Sequence, residues 1–249
     1  ATPYAGLTPA CLLDAVESTG LRCDGRLAAL NSFENRVYQV WLDSGESIVA
    51  KFYRPKRWSR AAILEEHAFA QELAQAELPV VAPLALNGST LHEHAGFLLA
   101  LYPRQGGRTP EFEDEETLRW LGRFIARIHA IGALADFYER PEIGWEEFGE
   151  APVQYVLEHD FVPPDLRVAY ESTARDVIGR IKQRWQEAGD FDVLRLHGDC
   201  HAGNILWTEP GGPHFVDLDD ARMGPAVQDI WMWLDGERSE EHTSELQSH

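Results

Sequence analysis

The chain has 249 residues, 44% hydrophobic and 25% charged, with a formal charge of −19. This is ordinary globular composition, long enough for one large domain or two lobes, and its acidity argues against general nucleic-acid binding, which needs a basic surface. Cys11, Cys23 and Cys200 are scattered and odd in number, and no leader or membrane-length apolar run is apparent, so a soluble, cytoplasmic protein with no membrane or nucleic-acid partner is expected.

Thr8 and Pro9 cap and open a short helix through Leu12, Leu13 and Val16, which Gly20 ends. Leu27 to Leu30 precede a polar loop, residues 31–36. Val37 to Leu42 then alternates and is rich in β-branched and aromatic residues, so it is a strand. Asp43-Ser44-Gly45-Glu46 turns the chain into a returning strand, Ser47 to Tyr53, carrying Lys51. Ser59 to Ala76 is a helix with Ala62, Glu66, Phe69 and Leu73 on one face. A glutamate among inward apolar residues needs a cation, because burying it unpaired is costly. Lys51 is a candidate partner, with Glu65 as the competing carboxylate. Val80-Val81, Leu84 to Leu86, Thr90-Leu91 and Phe97 to Leu101 read as short strands. The Pro/Gly-rich stretch after Tyr102 marks a boundary, beyond which the chain is mainly helical: Glu115 to Ala130, Val153 to Glu158, and Pro164 or Asp165 to Ala188, with an irregular connection over 136–152. Gly224-Pro225 opens a last helix carrying Asp229, and Trp231 to Leu234 is read as amphipathic helix. His129 is expected to be structural.

The organising stretch is Leu196-His197-Gly198-Asp199-Cys200-His201-Ala202-Gly203-Asn204-Ile205-Leu206-Trp207, followed by Phe215-Val216-Asp217-Leu218-Asp219-Asp220. Apolar strands run into and out of a tight polar loop, which brings Asp199, Asn204 and Asp217 to neighbouring strand ends. Each alone is an ordinary turn residue. Together they form a hard-oxygen set suited to Mg²⁺ shared with substrate phosphates, with Asp199 as base or orienter for an attacking hydroxyl. Lys51 reads either as a solvated lysine or as one reaching nucleotide phosphates. The loop at 31–36, with Ser32, lacks a Gly-rich signature but offers backbone N–H groups and a hydroxyl.

This layout resembles protein-kinase-like phosphotransferases, with His197-Gly198-Asp199 standing for H-R-D and Asp217-Leu218-Asp219 for D-F-G. The variant is similar to the aminoglycoside-phosphotransferase-like branch. Within that branch, residues 30–39, 49–55, 63–67, 194–207 and 215–231 resemble the bacterial stress response kinase A family of serine/threonine protein kinases. The resemblance spans roughly residues 7 to 237. It implies an α+β, bilobal fold: an N-lobe over 1–102 with a small antiparallel sheet and a helix, and a larger, mainly helical C-lobe over 103–237, read as incomplete relative to the family. It implies ATP as co-substrate, Mg²⁺, a protein Ser/Thr acceptor, a stress-related role and a monomer. Asp199 is then the base, and Asn204 and Asp217 hold the metal. Ser32, Asn35, Lys51, Glu66 (or Glu65) and Tyr102 belong to the nucleotide site, and Asp229 braces the catalytic loop. Residues 238–249 resemble the translation of a sequencing-adaptor oligonucleotide and are expected to be non-native.

Three rivals stand beside this. A small-molecule kinase would keep the fold and suit a cationic acceptor. A metal-dependent hydrolase would use His197, Asp199, Cys200 and His201. An incomplete C-lobe would make an inactive product with exposed apolar surface.

Overall fold

The computed structural model describes residues 3–112 and 114–233. The expected Leu234 helix end and the 238–249 tail lie outside these. Helix α1 (Pro9–Glu17) is capped by Thr8, whose side chain accepts from the Cys11 amide. Five strands follow around one further helix: β1 (Cys23–Leu30), β2 (Arg36–Leu42), β3 (Ser47–Phe52), α2 (Arg60–Gln75), β4 (His92–His94) and β5 (Phe97–Pro103). They form one antiparallel sheet in the order β1-β2-β3-β5-β4. Strand β3 is central, and Lys51 stands between Val37 on β2 and Ala100 on β5. Alternation sends Ala50 and Phe52 to the side covered by Leu12, Ala15 and Val16 of α1. Lys51 therefore faces the other way.

Helix α2 joins the sheet to the rest of the molecule. Its N-cap, Ser59, accepts from the Ala62 amide. Phe69, Ala70 and Leu73 then pack in one core with Leu121, Ile125 and Ile128 of α3 (Glu115–Gly132) and with Ile205 and Phe215. After α3 come α4 (Ala151–Glu158) and α5 (Arg167–Ala188). Two small sheets complete the fold: β6 (Leu194–Leu196) with β9 (Arg222–Gly224), and β7 (Ile205–Thr208) with β8 (Gly212–Phe215). No helix among the described residues is long and apolar enough to cross a membrane.

Strand β1 includes the polar Asp24-Gly25-Arg26 segment, which closes on itself in a bulge, with Arg26 bonding the Asp24 carboxylate. Three expectations are corrected. Leu84 to Leu86 and Thr90-Leu91 are not strands; the edge strand is His92–His94, so these apolar residues serve packing instead. The connection over 136–152 includes a π-helical turn, Glu146–Glu150, running directly into α4. The last helix is absent as an α-helix. Ala226–Asp229 and Trp231–Trp233 are 3₁₀ turns, tied down where Asp229 meets the loop after β6.

Phe69 is fully buried, edge-on to Phe137 at 5.6 Å and under the Arg195 guanidinium at 4.6 Å. Phe69→Ala is expected to lower unfolding free energy by about 3–5 kcal/mol, read from a urea melt.

Candidate active site

Strand β6 delivers the chain into His197-Gly198-Asp199. Gly198 has φ +87°, and a Cβ there would sit 1.9 Å from the Asp220 carbonyl oxygen, so only glycine lets this loop lie against the one carrying Asp217. The buried Asp229 carboxylate accepts from the amides of His197 (2.9 Å) and Gly198 (2.8 Å) and bonds His129 Nε2 (3.0 Å). Both expectations, a brace at Asp229 and a structural His129, match this geometry. His197 Nε2 lies 3.0 Å from the Val216 carbonyl, tying the loop to the residue before Asp217.

Asn204 donates its side-chain amide to the Asp199 carbonyl (2.9 Å) and faces its carboxylate (3.4 Å). The Asn204 carbonyl accepts from the Val216 amide at 3.0 Å. Asp217 sits at φ +60° in the left-handed region, which turns its side chain out of line with β8. Its Oδ1 lies 2.7 Å from Lys51 Nζ. Lys51 is only 4% exposed. Burial would strip its proton, but Asp217, Asp219 and Glu66 hold its pKa well above the usual value.

These groups meet in a cleft of about 210 Å³ between the sheet and the β7–β8 hairpin. Leu30, Val37 and Val49 line one wall and Leu206 and Val216 the other; Lys51, Asn204 and Asp217 form the polar end. The chain after Tyr102, through Pro103, Arg104 and Gln105, borders the same cleft. An apolar slot ending in a cation, an amide and a carboxylate fits a flat heterocycle carrying an anionic tail.

The expected residues do not all line it. Asp199 stands beside Asn204 with its side chain 42% exposed, but it does not form the cleft wall. Ser32 is turned onto its own loop, donating to the Asn35 carbonyl at 2.9 Å. Asn35 is buried and accepts from the Arg54 amide (3.1 Å); Asn31 is the loop residue that lines the cleft. Tyr102 lines the cleft and shares a 3.2 Å contact with the Tyr53 hydroxyl.

The expected Lys51–Glu66 ion pair is not formed. Lys51 pairs with Asp217 and, at 3.3 Å, with Asp219. Glu66 is buried nearby, with Arg140 as its ion-pair partner at 3.8 Å. Burial, only partly offset by Lys51 and Arg140, pushes its carboxyl up to about 7. Glu65 faces elsewhere, accepting from the amides of Tyr138, Glu139 and Arg140. Sequence reasoning missed Asp219, Arg57 and Arg140. The one available signal was the density of acids in Asp217-Leu218-Asp219-Asp220, which demands cations if any is buried.

The hydrolase rival fails on geometry. His197 points inward to Val216, Cys200 is fully buried, and among the described residues no three His, Cys, Asp or Glu side chains converge as a metal site. The donor set does fit Mg²⁺. Asn204 spends its NH₂ on Asp199, which leaves its amide oxygen available. Asp217 spends Oδ1 on Lys51, and its other oxygen has no protein partner among the described residues. One carboxylate and one amide, completed by phosphate oxygens and water, is a usual Mg²⁺ arrangement.

Fold and cleft together define a protein-kinase-like phosphotransferase. Residues 26–247 match the model of the phosphotransferase enzyme family (APH), and the chain belongs to that family as an ATP-dependent phosphotransferase. It is 45% identical over 238 residues to stress response kinase A of Escherichia coli (strain K12), covering 96% of this chain and 71% of that one. It is 44% identical, with the same coverage, to a Salmonella typhimurium relative named serine/threonine protein kinase RdoA. Among solved structures it is similar to an amicoumacin kinase in complex with AMP-PNP, Ca²⁺ and its ligand (TM-score 0.69, 23% identity, 94% of this chain and 74% of that one), a likeness of fold.

Two outcomes are expected. Asp229→Ala leaves two buried amides without an acceptor and should cost about 2–5 kcal/mol in a denaturant melt. The second concerns Glu66, whose folded-state pKa of about 7 lies above its ordinary 4.5. Between those values the folded chain keeps a proton that the unfolded chain has lost, so this group's stabilisation is whole below pH 4.5 and lost as pH rises to 7. Glu66→Gln should therefore melt close to wild type near pH 5 and above it near pH 8, by differential scanning fluorimetry.

Proposed function

We propose that the chain is a Mg²⁺-dependent serine/threonine protein kinase of the stress response kinase A type. The observation that carries this is the convergence of Lys51, Asn204 and Asp217 at the polar end of an apolar slot, with Asp199 held beside Asn204. The names of its relatives support a protein hydroxyl as acceptor. In this reading the division lies at 102/103, with the sheet and α2 as the nucleotide-binding lobe and the remainder, to residue 237, carrying the catalytic loops. The protein acts as a monomer, and its free thiols Cys11, Cys23 and Cys200 accord with the cytoplasm.

The slot takes adenine between Leu30, Val37 and Val49 on one side and Leu206 and Val216 on the other, next to the chain at Tyr102. Lys51 meets the phosphates. Asn204 and Asp217 hold Mg²⁺, which when bound neutralises charge on the phosphate oxygens. Asp199, half exposed, accepts the proton of the acceptor hydroxyl as its oxygen bonds to the γ-phosphorus and the bond to the ADP oxygen breaks. Ser32 and Asn35 shape the loop from which Asn31 faces the phosphates. The work is positioning and charge neutralisation.

Asp199→Asn and Asp217→Asn are expected to cut transfer from labelled ATP by about 10²–10⁴-fold with melting curves that remain cooperative. Asp217→Asn, unlike Asp199→Asn, should also abolish the Mg²⁺-dependent thermal shift given by a non-hydrolysable ATP analogue. Undiminished transfer in either variant would refute the assignment. The −19 charge favours one second reading, a cationic small-molecule acceptor. A panel of amino alcohols and aminoglycosides run against protein substrates separates the two.

A further inference from the structure

Beyond the cleft lies a buried ionic cluster that the mechanism above does not use. Asp219 is 2% exposed, and its two ends are held differently. Its main-chain carbonyl accepts both terminal nitrogens of Arg140, at 3.0 and 2.7 Å. Its Oδ2 is taken by Arg57, which also bonds Asp220 at 2.8 Å. Its Oδ1 makes no aligned hydrogen bond and stands 3.3 Å from Lys51 Nζ. Arg57 comes from the segment between β3 and α2, so it ties the strand that carries Lys51 to the loop that carries Asp217.

We propose that Asp219, clamped by Arg57, is the positioning carboxylate of Lys51 during catalysis, in the place where the sequence pattern leads one to expect a glutamate of α2. The proposal rests on the reading of the cleft as an ATP·Mg²⁺ site and deepens it. Lys51 cannot depend on Asp217 alone. That side chain is 46% exposed, and in the proposed mechanism its other oxygen goes to the metal, so its charge is shared between Lys51 and the cation. The remaining anion must stay put within reach of the ammonium. Glu66 does not: it makes no ion pair with Lys51 within 4 Å, and its ion-pair partner is Arg140. Asp219 does: Arg57 holds its Oδ2, Arg140 holds its main-chain carbonyl, and its Oδ1, which makes no hydrogen bond among the described residues, stands 3.3 Å from the ammonium. When Asp217 turns to the metal, Asp219 keeps Lys51 aimed at the phosphates.

The test is a double-mutant cycle in the full chain, reading KM for ATP, kcat and the affinity of a fluorescent non-hydrolysable ATP analogue with Mg²⁺. Asp219→Asn should raise KM for ATP about tenfold, and more than Glu66→Gln does. In a Lys51→Met background, adding Asp219→Asn should change analogue affinity by less than about twofold, because the route through Lys51 is already gone. Arg57→Met should reproduce the KM effect in part, and Arg57→Lys should restore it. This Arg57 pair, run through the same cycle, carries the test if Asp219→Asn does not fold. Full additivity of Asp219→Asn or Arg57→Met with Lys51→Met overturns the proposal, since it would mean that both residues act on the fold and not on Lys51. A larger KM effect from Glu66→Gln overturns it as well. If Lys51→Met binds the analogue as wild type does, the nucleotide reading of the cleft itself falls and takes the proposal with it; additivity alone leaves that reading standing.

Discussion

A lysine ammonium taken out of water needs fixed anions, and that demand shapes the centre of this molecule. Lys51 lies on the middle strand of a five-stranded sheet, almost wholly buried, and its two carboxylate partners come from a loop 166 and more residues later in the chain. Desolvating an ammonium is expensive, and only close opposite charge offsets it. The sheet and the catalytic loops must therefore approach each other wherever Lys51 is to stay charged. The apolar slot is what that approach leaves between them, with the charged groups gathered at one end.

The catalytic loop is held from the opposite side by a second buried carboxylate. Asp229 satisfies two main-chain amides that would otherwise be stranded where β6 ends, and His129 at the end of α3 completes its bonding. Gly198 allows the loop to lie against the Asp220 carbonyl. A buried residue from a later segment thus holds the loop that carries Asp199. The two carboxylates have different tasks: Asp219 orders a charged side chain, whereas Asp229 orders backbone.

Much of this was legible in the residues. The helix caps at Thr8 and Ser59 lie where their side-chain chemistry puts them, because an N-cap is a local hydrogen bond. The hairpin at Asp43 to Glu46, the inward face of α2 and the length of α3 follow from local turn chemistry and periodicity. Errors clustered where distant contacts override local preference. The Asp229 segment is 3₁₀ because its carboxylate is committed to another loop. Ser32 and Asn35 bind their own surroundings, while Asn31 faces the cleft.

The choice of partners shows the division most clearly. The residue types, spaced as Asp199, Asn204 and Asp217, by themselves gave a hard-oxygen set suited to Mg²⁺ and phosphates, because their spacing is carried by the chain, and their resemblance to kinase motifs pointed to a phosphotransferase. Which carboxylate answers Lys51 was not so determined. Helical spacing made Glu66 and Glu65 the candidates, and neither is its ion pair. The tertiary structure decided for Asp217 and Asp219, because a salt bridge depends on distances across the fold and on which acids the other cations, Arg57 and Arg140, have already claimed.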